Sequence, residues 1–301
     1  MTEDAFVTLT AGQSSLTLKP QTGGAIVDWS TDGVALLRPI SDEALAAGNA
    51  RKLGCFPLIP YSNRIANAQL SFLGQDYALR PDLQGEVHSI HGNGWYTPWR
   101  VAERDDQRLV LALDHLADSD RTIDWPFSYN ARQTFELLPD GLAITLEIEN
   151  RDSRPMPAGL GLHPYFRRSP QSQLSFSTGA VWLNGPDKLP TSLVPVPSGW
   201  SFAEPGSPDA VELDNCFAQW DGKVRITWPE NHLALTMTAS DIFQHLVVFT
   251  PAGKDFFCVE PVSHANGALA LAATPGDHGA RVLAPGDALT GTVRFQLDQL
   301  A

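Results

Sequence analysis

From Leu142 to Glu149 the chain alternates strictly. Leu142, Ile144, Leu146 and Ile148 are apolar, whereas Ala143, Thr145, Glu147 and Glu149 are small or polar. A period of two puts one set on a buried face and the other in water, which predicts a half-buried strand. The segment before it, Tyr129–Leu138, reads the same way, and Pro139-Asp140-Gly141 between them is a hairpin signal. Similar alternation predicts strands at residues 6–9, 16–18, 25–29, 108–114, 233–240, 245–250 and 290–297. Glycine (24) and proline (23) end these runs at short intervals. Long helical periodicity is missing. The best helix is residues 41–50, with Ser41 as N-cap and acids in its first turn. Many short strands separated by Gly/Pro turns predict an all-β fold, an antiparallel sandwich or barrel. With no fixed repeat, a propeller is disfavoured.

One stretch, residues 186–208, is rich in Pro, Ser and Gly like an interdomain linker, yet it carries Leu193, Val194, Val196, Trp200 and Phe202. That is more apolar surface than a solvated linker shows, so it reads as a long ordered loop draped over the sheet. Residues 1–301 are accordingly expected to form one domain.

Composition narrows the partners. The chain has 34 acidic against 21 basic residues, a net charge of −13, which disfavours nucleic acid and anionic membrane. No apolar run approaches the roughly 18 residues a membrane span needs. The start, Met1-Thr2-Glu3-Asp4, lacks the basic-then-apolar order of a signal peptide. Cys55, Cys216 and Cys258 form neither a disulfide framework nor a CxxC motif, and read as buried thiols in a cytoplasmic protein.

Chemistry-bearing residues fall at the ends of strand-like runs or in turns. His163 lies in Gly161-Leu162-His163-Pro164-Tyr165-Phe166, and Glu260 in Cys258-Val259-Glu260-Pro261. Proline cannot donate to a ladder, so pairing should weaken right after the histidine, and a carboxylate ending so apolar a run is either paired or functional. A histidine titrates near neutrality and a carboxylate is its usual complement, so the two suggest a proton-transfer site; a satisfied core histidine is the bland reading of His163. The small residues before His163, among them Gly159 and Gly161, should leave space on one face. Asn63-Arg64 offers a fork of donors for a hydroxyl or carboxylate, or merely a surface ion pair. His91, followed by Gly92-Asn93-Gly94-Trp95, suggests a close backbone approach, or a loop histidine in water. His88 and His91, three apart, would point to opposite faces of a strand, which argues against a shared metal. Asp214 in Leu213-Asp214-Asn215 has the weakest local case, since Asp-Asn is ordinary turn chemistry. No GxSxG, Walker loop or dinucleotide-binding GxGxxG is present.

These positions together resemble the aldose 1-epimerase family of the galactose mutarotase-like superfamily, nearly end to end. The blocks are Asn63-Arg64-Ile65 with Leu70-Ser71-Phe72 and Gly74; Ile90-His91-Gly92 with Trp95; Trp125-Pro126-Phe127 leading to Tyr129; Leu162-His163-Pro164-Tyr165-Phe166; Asp214 with Phe217; and Glu260-Pro261. Each alone is a weak signal, and their common order is a strong one. The resemblance implies a large antiparallel β-sandwich (the mutarotase supersandwich) and interconversion of the anomers of a free aldose without metal or cofactor. By motif position, Glu260 would be the base on the C1 hydroxyl and His163 the acid at the ring oxygen. Arg64 and His91 would bind and polarise the sugar, Asp214 would hold hydroxyls, and Asn63 and Trp95 would complete the sugar site. The partner would be a small sugar, and the chain a monomer or homodimer. The carboxylate beside it should favour the imidazolium, giving a bell-shaped rate profile with Glu260 on the acid limb and His163 on the alkaline limb.

Departures from the family pattern place the chain in a divergent bacterial-type branch. They are Pro164 after the histidine, Asn67 where glycine is common, and Val262-Ser263-His264-Ala265-Asn266-Gly267 after Glu260-Pro261. Trp95 and Trp125 are candidate stacking faces for a ring. Two other readings share the motifs. A hexose-6-phosphate 1-epimerase would need cations near the cleft, with Arg38, Arg51, Lys52, Arg167 and Arg168 as candidates. A non-catalytic carbohydrate-binding protein would have no need of both His163 and Glu260.

Overall fold

The computed structural model describes residues 6–81, 85–118, 120–271 and 278–300. The acidic start, Met1 to Asp4, lies outside them. Two large antiparallel sheets dominate. The first runs, edge to edge, through Val7–Ala11, Ser14–Lys19, Ala25–Thr31, Cys55–Leu58, Gly161–Arg167, Phe256–Val262, His245–Phe249, Asp214–Ala218, Ala180–Asn184 and Pro190–Pro195, with Val34–Ala35 beside Ala25–Thr31. The second runs through Arg100–Arg104, Arg108–His115, Tyr129–Leu138, Gly141–Asn150, Ala288–Gln299, Leu233–Ala239, Lys223–Trp228 and Gln173–Phe176. This is the all-β sandwich that the alternation predicts.

The alternation decides which face each strand buries. Leu142, Ile144 and Phe135 of the second sheet share one apolar core with Leu9, Leu16, Trp29, Phe166 and Val259 of the first. The Trp29 and Phe295 rings meet edge to face across it at 5.6 Å. The hairpin at Pro139-Asp140-Gly141 forms as expected, pairing Leu138 with Gly141. A second, smaller apolar cluster covers the other face of the first sheet, with Phe56, Leu58, Tyr165, Cys216, Val247, Cys258 and Val262 in it. Because side chains alternate, Leu162 and Phe166 point into the sandwich while His163 and Tyr165 point to this outer face. Val259 and Cys258 divide the same way.

Three expectations need correction. The helix is only Asp42–Ala46; Ser41 does cap it, accepting from Ala44 N, but its residues are not buried, so nothing extends it beyond about a turn. Residues 186–208 are not all loop. Pro190–Pro195 pairs antiparallel with Ala180–Asn184 as an edge strand, with Val194 turned to the core and Leu193 beside it facing solvent. Nor do His163 and Glu260 end their strands, which run on to Arg167 and Val262 through proline.

Candidate active site

His163 and Glu260 face each other across neighbouring strands. Gly161 pairs with Val262 and Tyr165 with Cys258, a register that sets residue 163 opposite residue 260. Between those pairs the ladder lapses, where Pro164 and Pro261 supply no N–H. His163 Nε2 lies 3.3 Å from Glu260 Oε1, and both side chains are almost wholly buried. The imidazole packs beside Phe56, its partner on the strand Cys55–Leu58, at 4.6 Å and beside Tyr165, two residues on, at 4.5 Å; those two rings are themselves 6.1 Å apart and so lie on adjacent sides of it. Contact with two neighbouring rings restricts its rotation. His163 Nδ1 and Glu260 Oε2 are buried without a hydrogen-bond partner. Orphaned polar atoms of this kind are uncommon in a folded interior and mark a place where a ligand or water completes the bonding.

Burial decides the protonation of the pair. It pushes Glu260 well above the ordinary carboxylate value, helped by the charge of Asp214 and opposed by that of Arg64. Burial likewise pushes His163 down to about 3, with the charges of Arg51 and Arg38 acting in the same direction. The expected preference for imidazolium is therefore reversed: desolvation outweighs the attraction of one carboxylate. The favoured state is a neutral imidazole beside a protonated carboxyl, a pair holding one transferable proton.

The other predicted residues gather around this pair. His91 meets His163 edge to face at 5.5 Å. Its Nδ1 accepts from Asn63 N, and its own backbone N–H donates to Asn63 O. Burial holds His91 well below its usual range, so the ring is neutral and its proton sits on Nε2. Asn63 and His91 both adopt positive φ, 60° and 62°, and Asn63 Oδ1 accepts from Arg64 N. The close approach expected at Gly92 is to the chain itself: at φ +66° its Cα packs on the carbonyl of Ile59, leaving no room for a Cβ. The space expected beside Gly159 and Gly161 is likewise filled, by His264 at the first and by Val262 and Leu58 at the second.

Arg64 is no loose surface ion pair. Its side chain is 12 % exposed and forks onto both oxygens of Glu86, at 3.1 and 3.3 Å. Asp214 opens the strand Asp214–Ala218 and bonds Lys188 at 3.5 Å. It lines a cavity of about 510 Å³ with Lys188, Trp200 and Phe249. A second cavity of about 310 Å³ lies beyond Ile65, between Trp182, Pro190, Asn266 and Ala268.

Trp95 requires a correction. It is 2 % exposed, donates from Nε1 to Ile90 O, and packs against Phe56 and Tyr96 beneath the Arg51 guanidinium. A stacking platform needs an open face, and this ring supports the site from below instead. Trp125 is equally buried, against Tyr61 and Phe127. His88 and His91 each accept a separate backbone N–H at Nδ1, from Asn67 and Asn63 respectively. All three cysteines are buried free thiols.

Sequence reasoning passed over Phe56, Tyr165 and Glu86. The first two were legible as apolar residues in strand-like runs, but their contact with His163 depends on strand pairing. Glu86 had no local signal. Asn67, at φ 50°, occupies the position where the family pattern favours glycine, and asparagine tolerates that conformation.

A sandwich whose outer face carries a buried His–Glu pair, flanked by a forked arginine, a neutral histidine and an aspartate, defines a protein of the mutarotase-like class. The chain belongs to the aldose 1-epimerase family, whose model matches residues 6–296. It is 30% identical to the uncharacterised Escherichia coli K12 protein YphB over 97% of this chain and 99% of that one. A crystal structure of an Escherichia coli K12 protein ascribed to the aldose 1-epimerases superposes with a TM-score of 0.87 at 30% identity, covering 98% of this chain and 99% of that one. A galactose mutarotase-like protein from Clostridium acetobutylicum shares the fold, with a TM-score of 0.86 at 18% identity over 99% and 96% of the two chains.

Proposed function

We propose that this protein is an aldose 1-epimerase, interconverting the α and β anomers of a free aldose by acid–base opening and closure of the ring. The observation that carries the reading is the 3.3 Å approach of His163 Nε2 to Glu260 Oε1, with a partnerless oxygen on the carboxyl. Ring opening removes a proton from the C1 hydroxyl and delivers one to the ring oxygen. Those oxygens share one carbon, so the two catalytic groups must stand close together. A pair carrying one proton meets both needs at once, because one member gives while the other takes. In the roles implied by family membership, Glu260 is the base at the C1 hydroxyl and His163 the acid at the ring oxygen. Transfer of the stored proton from Glu260 to His163 generates that form, and a sugar hydroxyl donating to the carboxylate stabilises it. After rotation about C1–C2 the reverse transfers close the ring. Arg64, His91 and Asp214 hold the sugar, with His91 donating from Nε2.

A neutral substrate is favoured over a hexose 6-phosphate by the commitments of the nearby cations. Arg64 is forked on Glu86, and Arg168 pairs with Asp209. Arg167 bonds Asn231 and Glu230. Arg38 donates to the carbonyls of Leu53 and Arg51 while stacked on Tyr165. Each of the four is thus already bonded, although Arg167 Nε and Arg168 Nε and Nη2 are buried without a partner. The test is anomer exchange, followed by polarimetry or NMR, across free and phosphorylated aldoses. Exchange accelerated for a phosphorylated sugar alone would overturn the substrate assignment. No acceleration with any aldose would overturn the enzyme.

A further inference from the structure

Cys258 has no part in the proton transfer, yet it stands beside the pair. It precedes Glu260 by two residues on the same strand, so their side chains project from the same face. One nitrogen of His163, the Cys258 sulfur and one oxygen of Glu260 all lie within 4.8 Å of one another, and all three residues are buried. We infer that these three form a binding site for a soft divalent cation of the zinc type, and that the bound ion shuts off epimerisation.

The geometry is close to what such an ion requires. Tetrahedral zinc bonds of about 2.0–2.3 Å place ligand atoms about 3.3–3.6 Å apart. His163 Nε2 and Glu260 Oε1 already stand 3.3 Å apart. The sulfur comes into range by a shift of roughly an ångström, within the reach of rotation about its Cα–Cβ bond. Three protein ligands leave a fourth position for water. One sulfur, one nitrogen and one oxygen favour zinc or cadmium over magnesium, which prefers an all-oxygen shell.

Three other buried histidines are committed elsewhere. His91 and His264 each accept a backbone N–H, and His115 bridges Asn93 and Trp125 O. The Glu260 carboxyl, in contrast, keeps an oxygen without a partner. The surrounding charges are mixed. Arg64 bears on Glu260, and Arg38 and Arg51 on His163, all repelling a cation; Asp214 attracts one. Binding is accordingly reversible rather than structural. The metal displaces the thiol proton of Cys258 and the carboxyl proton of Glu260 to solvent, and a metal–sulfur and a metal–oxygen bond take their place. Sugar and ion exclude each other because both need the same acid and base.

The binding half of the inference is independent of the proposed reaction, and the inhibition half rests on it. The probe is cadmium added to the metal-free full chain without sugar. The expected result is an ultraviolet cadmium–thiolate charge-transfer band with release of protons. Zinc should suppress anomer exchange competitively with sugar, a chelator should restore it, and magnesium should have no effect. Cys258→Ser and Cys258→Ala should keep basal exchange, lose the band, and raise the inhibitory zinc concentration by at least about ten-fold, whereas Cys216→Ser should keep the band. Absence of the band in the parent chain, or its survival in both Cys258 variants, overturns the site. A band in a protein that accelerates no sugar supports the site and sinks the epimerase reading instead.

Discussion

His163 Nε2 stands 3.3 Å from Glu260 Oε1, although 97 residues of sequence (260 − 163) separate the two. The strand register brings them opposite each other, and the rings of Phe56 and Tyr165 pack on adjacent sides of the imidazole. Removing either member should break the transfer without emptying the sugar site. Glu260→Gln and His163→Asn are expected to lower kcat by roughly 10²–10⁴ with little change in KM, the range typical of a lost general acid or base. Anomer-exchange NMR measures both constants. Full activity in Glu260→Gln would end the mechanism.

The pH dependence follows from which charges burial suppresses. Activity needs one proton on the pair. Acid adds a second proton only as pH falls through the lowered value of His163, about 3, and alkali removes the last only as pH rises through the raised value of Glu260. The plateau should be broad, with His163 on the acid limb and Glu260 on the alkaline limb, the reverse of the order expected from ordinary values. The limbs belong to the coupled pair rather than to either residue alone. A kcat/KM profile whose acid limb is centred near the ordinary histidine value of about 6.5 would refute this ordering.

Stability should fall on mild acidification. Burial lowers His91, His115, His163 and His264, the last to about 4. Each contributes stability that is present above its unfolded value of about 6.5 and is lost as pH falls toward its folded value, because the unfolded chain binds protons that the folded chain refuses. Glu260 has the opposite sign: its contribution is present below its unfolded value and is lost as pH rises through the raised one. With four groups against one, calorimetry should find the unfolding temperature dropping from about pH 7 to about pH 5. An unfolding temperature constant across that interval would contradict the burial of the histidines as neutral rings.

Arg64 is aimed by Glu86. Glu86→Gln removes the charge that fixes the guanidinium fork but leaves the fold untouched. KM should rise several-fold while kcat changes little, and stability should shift by less than about 1 kcal/mol, as for other half-exposed ion pairs. Steady-state kinetics with urea unfolding would check both. A kcat loss as large as that of Glu260→Gln would mean that Arg64 acts in the proton transfer itself.

Gly92 sets the position of His91. An alanine there meets the Ile59 carbonyl and the Pro60 ring at a φ of +66°, so Gly92→Ala should cost about 2 kcal/mol or more. Activity should fall with it as His91 is displaced. Unchanged urea unfolding would show that the turn relaxes freely.

The sheets were legible because a strand declares itself locally. The alternation around Leu142 and Ile144, with a Pro-Asp-Gly turn before it, contains both the period and the break. The helix over residues 41–50 was overread because Ser41 and two acids signal a start, whereas nothing apolar holds a second turn. Trp95 was misjudged for a different reason. An aromatic residue beside a site motif looks the same in sequence whether its face is open or covered, and here Arg51 and Phe56 cover it.

What the sequence by itself determined was the period-two patterning, hence an antiparallel sandwich, and the ordered motifs carrying Asn63, Arg64, His91, His163, Asp214 and Glu260. These depend on neighbours within a few residues, or on blocks that keep their order along the chain. Only the tertiary structure decided that His163 and Glu260 share a row of one sheet, that Phe56 and Tyr165 pack against the imidazole, that Glu86 orients Arg64, and that Cys258 stands beside the pair. It also decided the protonation. A pKa is set by how much water is excluded and which charges remain, and both are properties of long-range packing that no local pattern encodes.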